Sequence, residues 1–158
     1  KPRLDRRVTV LTKMRVSDTN RFFEKSFNWL VHQVEKNKDK PIVVLTHHCP
    51  SRTGTSHPSY EHPGNLIGHG FATDVLDSFI PPTSSSSPIK AWVCGHTHYN
   101  FDFVTESGIR VVSNQKGYPN RPTQESFAYQ PDGVVLQISN SPPATEKIAT
   151  IGTSKIVT

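Results

Sequence analysis

Two apolar runs of strand length, at residues 41–46 and 89–94, each end directly in histidines, and this pairing constrains the chain more than any other feature. The first runs Pro-Ile-Val-Val-Leu-Thr into His47-His48, and the second runs Ile-Lys-Ala-Trp-Val-Cys into Gly95-His96-Thr97-His98. Continuous runs of this kind read as strands buried on both faces, the pattern of a parallel sheet. In open α/β sheets, sites form at the carboxyl ends of the strands. The predicted class is therefore α/β, with chemistry gathered at the ends of two strands.

The rest of the chain fits around this pair. Residues 8–11 read as a short strand, and Ser17, Asp18, Thr19 and Asn20 offer helix N-caps. From residue 20 to 36, Phe23, Phe27, Leu30, Val31 and Val34 recur at spacings of three and four, which predicts an amphipathic helix with Phe27 and Leu30 on its buried face. Residues 47–70 lack apolar periodicity and read as one long loop; loops of this length are functional or disordered. Phe71, Val75 and Phe79 predict a second short helix over 71–80, and the Pro/Ser stretch at 81–88 reads as a mobile surface excursion. Residues 101–104 and 109–112, around Thr105-Glu-Ser-Gly108, predict a β-hairpin, with a further strand at 134–138.

Histidine chemistry is the strongest functional signal. A lone histidine after a strand is more often hydrogen-bonded than ligating, but two sets at consecutive strand ends favour a metal reading. On an extended segment, His96 and His98 would point the same way, and imidazole is a good ligand for zinc and iron. Either His47 or His48 would join them. His57, His62 and His69 read as exposed loop residues, with contact to substrate as the alternative.

Partners are narrowed by charge and hydropathy. No apolar run approaches the roughly 20 residues of a membrane-spanning helix, and the opening Lys-Pro-Arg-Leu-Asp-Arg-Arg is too polar for a signal peptide. The chain does not begin with Met, so its start is read as a cloning boundary, a processed end or a truncation, and a cytoplasmic setting is the default expectation. Two cysteines, Cys49 and Cys94, without framework spacing, point to a reducing compartment. The formal charge is +5, but Arg3, Arg6, Arg7, Lys13 and Arg15, and then Lys36, Lys38 and Lys40, cluster without interleaved aromatic residues. That describes a solvated basic face rather than a nucleic-acid platform.

The blocks Thr46-His47-His48-Cys49-Pro50-Ser51 and Gly95-His96-Thr97-His98, each after a hydrophobic strand, resemble the last two signature blocks of the calcineurin-like metallophosphoesterases. Asn114-Gln115-Lys116-Gly117-Tyr118-Pro119 further resembles a subgroup of bacterial and fungal members. The resemblance spans residues 18–120. It implies a four-layer α/β/β/α sandwich, of which residues 1–158 are the C-terminal part of the domain. It also implies hydrolysis of phosphomonoesters or phosphodiesters at a pair of divalent or trivalent ions, of zinc, manganese or iron. By the resemblance His47 and His96 bind one ion and His98 the other, with His48 the alternative to His47. The family's Asp-x-His, Gly-Asp-x-x-Asp and Gly-Asn-His-Asp/Glu blocks do not occur, and Asp74, Asp77 and Asp102 lie in the wrong contexts to replace them. At most one ion is therefore expected in this chain, and its implied partners are a phosphoester substrate and the N-terminal half of the domain.

Overall fold

The computed structural model describes residues 13–81, 84–118, 120, 128–133, 136 and 138. The expected strand at 8–11 lies outside them, as does most of that at 134–138. The fold is mixed α/β: one helix, α1 (Val16–Lys36), is followed by strands β1 (Ile42–Leu45), β2 (Ile89–Val93), β3 (Phe101–Val104) and β4 (Arg110–Ser113). The sheet order is β1-β2-β4-β3. β1, β2 and β4 run parallel, and β3 and β4 pair antiparallel as the two arms of the expected hairpin. Gly108 makes the turn between them at φ +81°, a left-handed conformation that glycine adopts without a Cβ clash.

α1 starts earlier than the polar cluster suggested. Asp18 does not cap the helix as its first residue; it sits one turn inside, where its Oδ2 accepts from Arg15 N at 3.0 Å. The C-terminus falls where expected, and Asn37 Nδ2 donates to Gln33 O at 2.8 Å. Of the predicted apolar stripe only Val34 is fully buried. Phe27, Leu30 and Val31 pack on the core from a half-buried position, and Phe23 stacks outward on Phe27. The core is an aromatic ladder joining helix to sheet: Phe27 meets Phe79 at 5.8 Å between centroids, and Phe79 meets Trp92 at 5.4 Å, both nearly edge to face.

Two expectations are corrected, and the end of a third segment is defined. The helix over 71–80 is absent, and only a single 3₁₀ turn forms, Leu76–Phe79. The reason lies in the main chain: Cys49 N donates to Phe71 O, Thr73 N to Cys49 O and Val75 N to Pro50 O, at 3.0–3.2 Å. These bonds tie 71–75 to 49–50, and the Val75 donor and Phe71 acceptor committed there cannot close the first α-helical bond. The excursion at 81–88 does not end loosely. Ser87 is buried, donates to Phe79 O at 2.9 Å and accepts from Ile89 N at 3.2 Å, leading directly into β2. Finally, β1 lies at the edge of the sheet among the described residues rather than being buried on both faces. Val44 is buried, while Val43 is partly open and Leu45 is 75% exposed.

No helix among the described residues is long and apolar enough to cross a membrane.

Candidate metal centre

The parallel register of β1 and β2, which pairs Leu45 with Val93, brings both histidine blocks to one end of the sheet. The ladder continues past the strands, with Thr46 N donating to Val93 O and Gly95 N to His47 O, both at 3.0 Å. His47, His48 and His96 consequently converge. Their ring centroids lie 4.5–5.1 Å apart, and one nitrogen from each falls within 4.8 Å of the others. Among the described residues no carboxylate or thiolate joins such a group.

The turn after β1 presents both His47 and His48 to this group. Thr46 fixes that turn. Its hydroxyl donates to His48 O at 2.7 Å and accepts from the indole Nε1–H of buried Trp92 at 2.8 Å. Cys49 Sγ adds a bond to Gly95 O at 3.3 Å, so the two histidine turns are cross-linked below the rings. Cys49 and Cys94 are both free and buried.

His98 stands outside the trio. Its ring packs edge-on against Tyr118 at 4.8 Å. The segment is not extended, as the i, i+2 argument assumed: His96 has φ 72° and His98 φ 55°. Left-handed backbone at a non-glycine residue costs on the order of 1–3 kcal/mol and persists where surrounding bonds impose it. Gln115 supplies them, its Oε1 accepting from His98 N at 3.0 Å while Nε2 donates to Tyr99 O at 3.1 Å and Ser113 Oγ at 2.7 Å. Asn100 braces Gln115 in turn through both main-chain groups. No periodicity marks Gln115 as the residue that shapes this turn; its only sequence signal was the block around it.

Electrostatics favour neutral imidazoles. Burial, and then repulsion from His47, holds His48 below its ordinary pKa. His96 is lowered by burial and then by His48, His47 and His98. Imidazoles that resist protonation keep the lone pairs a metal needs.

The loop over 51–74 walls a cavity of about 740 Å³ beside His96 and His98. Arg52 binds Asp74 twice, from its main-chain N to Oδ1 at 2.7 Å and from Nε to Oδ2 at 2.8 Å, and its Nη1 reaches His69 Nε2 at 3.1 Å. Burial works to raise the Asp74 pKa, but the bonds and charge of Arg52 outweigh it and hold it low. His57 caps the 3₁₀ turn Pro58–Tyr60, while His62 lines the cavity. Asp102 is held by Arg110 across the β3–β4 pair, and Asp77 sits exposed in the turn Leu76–Phe79, so neither reaches the histidines.

An uncharacterized protein of Acanthamoeba polyphaga mimivirus is 34% identical to this chain over 126 residues, covering 75% of the chain and 41% of the viral protein. The chain thus spans well under half the length of that relative. No protein-family model matches the chain, and no solved structure does.

Proposed function

We propose that the chain is the histidine-bearing part of a metal-dependent phosphoesterase of the calcineurin-like kind, within a four-layer α/β/β/α sandwich. One observation carries the reading: His47, His48 and His96 converge from two adjacent parallel strand ends beside a cavity. The residues fit an ion. Zinc–imidazole bonds of about 2.0–2.1 Å place tetrahedral donors roughly 3.4 Å apart. The exposed His47 and His48 rings have room to rotate by the small amount this requires.

His47, His48 and His96 would hold one zinc, manganese or iron ion, and His98 would face the second. When bound, such ions activate water and offset charge on the phosphoryl group. The chain's own residues fix ligand direction: Thr46 orients the first turn and Gln115 the second. What they lack is anionic charge. Two cations repel strongly at close range, and no carboxylate among the described residues joins the histidines. The paired site therefore requires carboxylates from the complementary half. Among the described residues no strand pairs with the outer edge of β1, and with Leu45 and 63%-exposed Trp29 beside it that edge offers the other half a strand to pair with and an apolar groove to fill. A cytoplasmic setting belongs to the same proposal and is supported by the two free thiols.

The missing carboxylate equally favours a second reading, a single-ion binding module without catalysis. Two experiments decide. Zn²⁺ titrated into the chain binds, and His96→Ala weakens that binding at least tenfold; equal binding by both removes the metal centre. The chain alone leaves bis-p-nitrophenyl phosphate intact with Mn²⁺ or Zn²⁺, and turnover appears when the complementary half is supplied. If no activity appears even then, the binding-module reading stands.

A further inference from the structure

The cavity beside the histidines is far larger than a phosphate group needs. At about 740 Å³ it falls within the roughly 300–1,000 Å³ typical of small-molecule sites. We propose that it receives the leaving group of the phosphoester, and that this group carries one uncharged flat ring rather than an aliphatic chain or a second phosphate. The inference rests on the phosphoesterase reading for the position of the phosphate.

Three observations define the ring. The first is wall chemistry: Tyr60, Phe71 and Tyr118 line the cavity, all three exposed. Two of these rings flank the histidines, Phe71 at 4.8 Å from His96 and Tyr118 at 4.8 Å from His98. An aromatic group joined to a phosphate at the histidines would therefore enter beside these aromatic rings, where stacked or edge-to-face contacts add to its burial. The second is charge. Arg52 is the only lysine or arginine among the described lining residues, and Asp74 already engages it, while Glu61 adds a second carboxylate. A further phosphate would find no free cation there and two anions nearby. The third is rigidity. Ser56 N donates to Glu61 Oε1 at 3.0 Å, and Asn65 bridges the loop, donating to Tyr60 O at 2.7 Å and accepting from Ile67 N at 3.1 Å. Walls pinned in this way lose little freedom when a ligand enters.

The test compares phenyl phosphate with glycerol 3-phosphate, titrated calorimetrically into the full chain with and without Zn²⁺. Phenyl phosphate is expected to bind at least about tenfold more tightly, the range in which stacking on an aromatic side chain operates. Tyr60→Ala and Tyr118→Ala should reduce that preference, and Tyr60→Phe and Tyr118→Phe should keep it, which separates loss of a ring from loss of the fold. Equal binding of the two probes, or a preference untouched in both alanine variants, overturns the proposal. Its failure is distinct from failure of the phosphoesterase reading. If Zn²⁺ strengthens both probes without ring preference, the ring cavity falls and the metal reading survives. If the ring preference persists while Zn²⁺ and His96→Ala change nothing, the cavity's selectivity for a ring stands, but the metal reading falls and takes the leaving-group assignment with it.

Discussion

β1 and β2 are neighbours in one sheet with similar apolar sequences, yet they occupy opposite situations. β2 is enclosed: Ile89, Ala91 and Trp92 are buried, with β1 on one edge and β4 on the other. β1 buries Val44 and leaves Val43 and Leu45 open along a free edge. At their carboxyl ends the contrast disappears, because main-chain bonds and the Thr46 hydroxyl lock the two histidine turns together. The histidine corner is thus braced from within the chain, while the sheet edge beside it stays open among the described residues. Bracing of the histidine turns and closure of a core are separate achievements here.

The sharpest way to break this comparison is to truncate one aliphatic residue in each of the two strands. Ile89 is 0% exposed, so Ile89→Ala should cost about 2–5 kcal/mol. Leu45→Ala in β1 should stay within about 0.5 kcal/mol, as surface substitutions do. Urea midpoints measure both, and a similar loss for the two variants would mean that β1's edge is covered in solution.

A smaller effect probes the corner itself. Thr46→Val removes the hydroxyl and leaves the buried Trp92 Nε1–H without its acceptor, which should cost about 1–3 kcal/mol. It also releases His48 O, so Zn²⁺ affinity should fall along with stability, whereas Thr46→Ser should preserve both. If Thr46→Val unfolded more easily but bound Zn²⁺ normally, the turn would not need its side-chain brace.

The least effect on the isolated chain is expected from Leu45→Asp, on the open face. Its thermal midpoint should barely move. A charge on the apolar groove should nonetheless abolish assembly with the complementary half, because an apolar side chain buried there would otherwise contribute about 1.5–3 kcal/mol. Co-purification of the two halves measures this, and undiminished assembly would move the docking surface elsewhere.

Much of the architecture was legible in sequence because short-range patterns encode it. The 3.6-residue spacing of Phe23, Phe27, Leu30 and Val34 gave α1, the apolar runs gave β1 and β2, and Gly108 between two β-rich stretches gave the hairpin. Placement of histidines after two strands also followed from local pattern alone. Tertiary structure decided the rest, since it depends on which groups meet across many residues. The spacing of Phe71, Val75 and Phe79 asked for a helix, and main-chain bonds to Cys49 and Pro50 overrode it, because a donor satisfied across the fold is no longer free to satisfy an α-helix. Strand pairing likewise gathered His47, His48 and His96, and Gln115, held by Asn100, set His98 apart through a left-handed backbone uncommon outside glycine. Sequence fixes what each residue is able to do; the register of β1 on β2 determines which of them do it together.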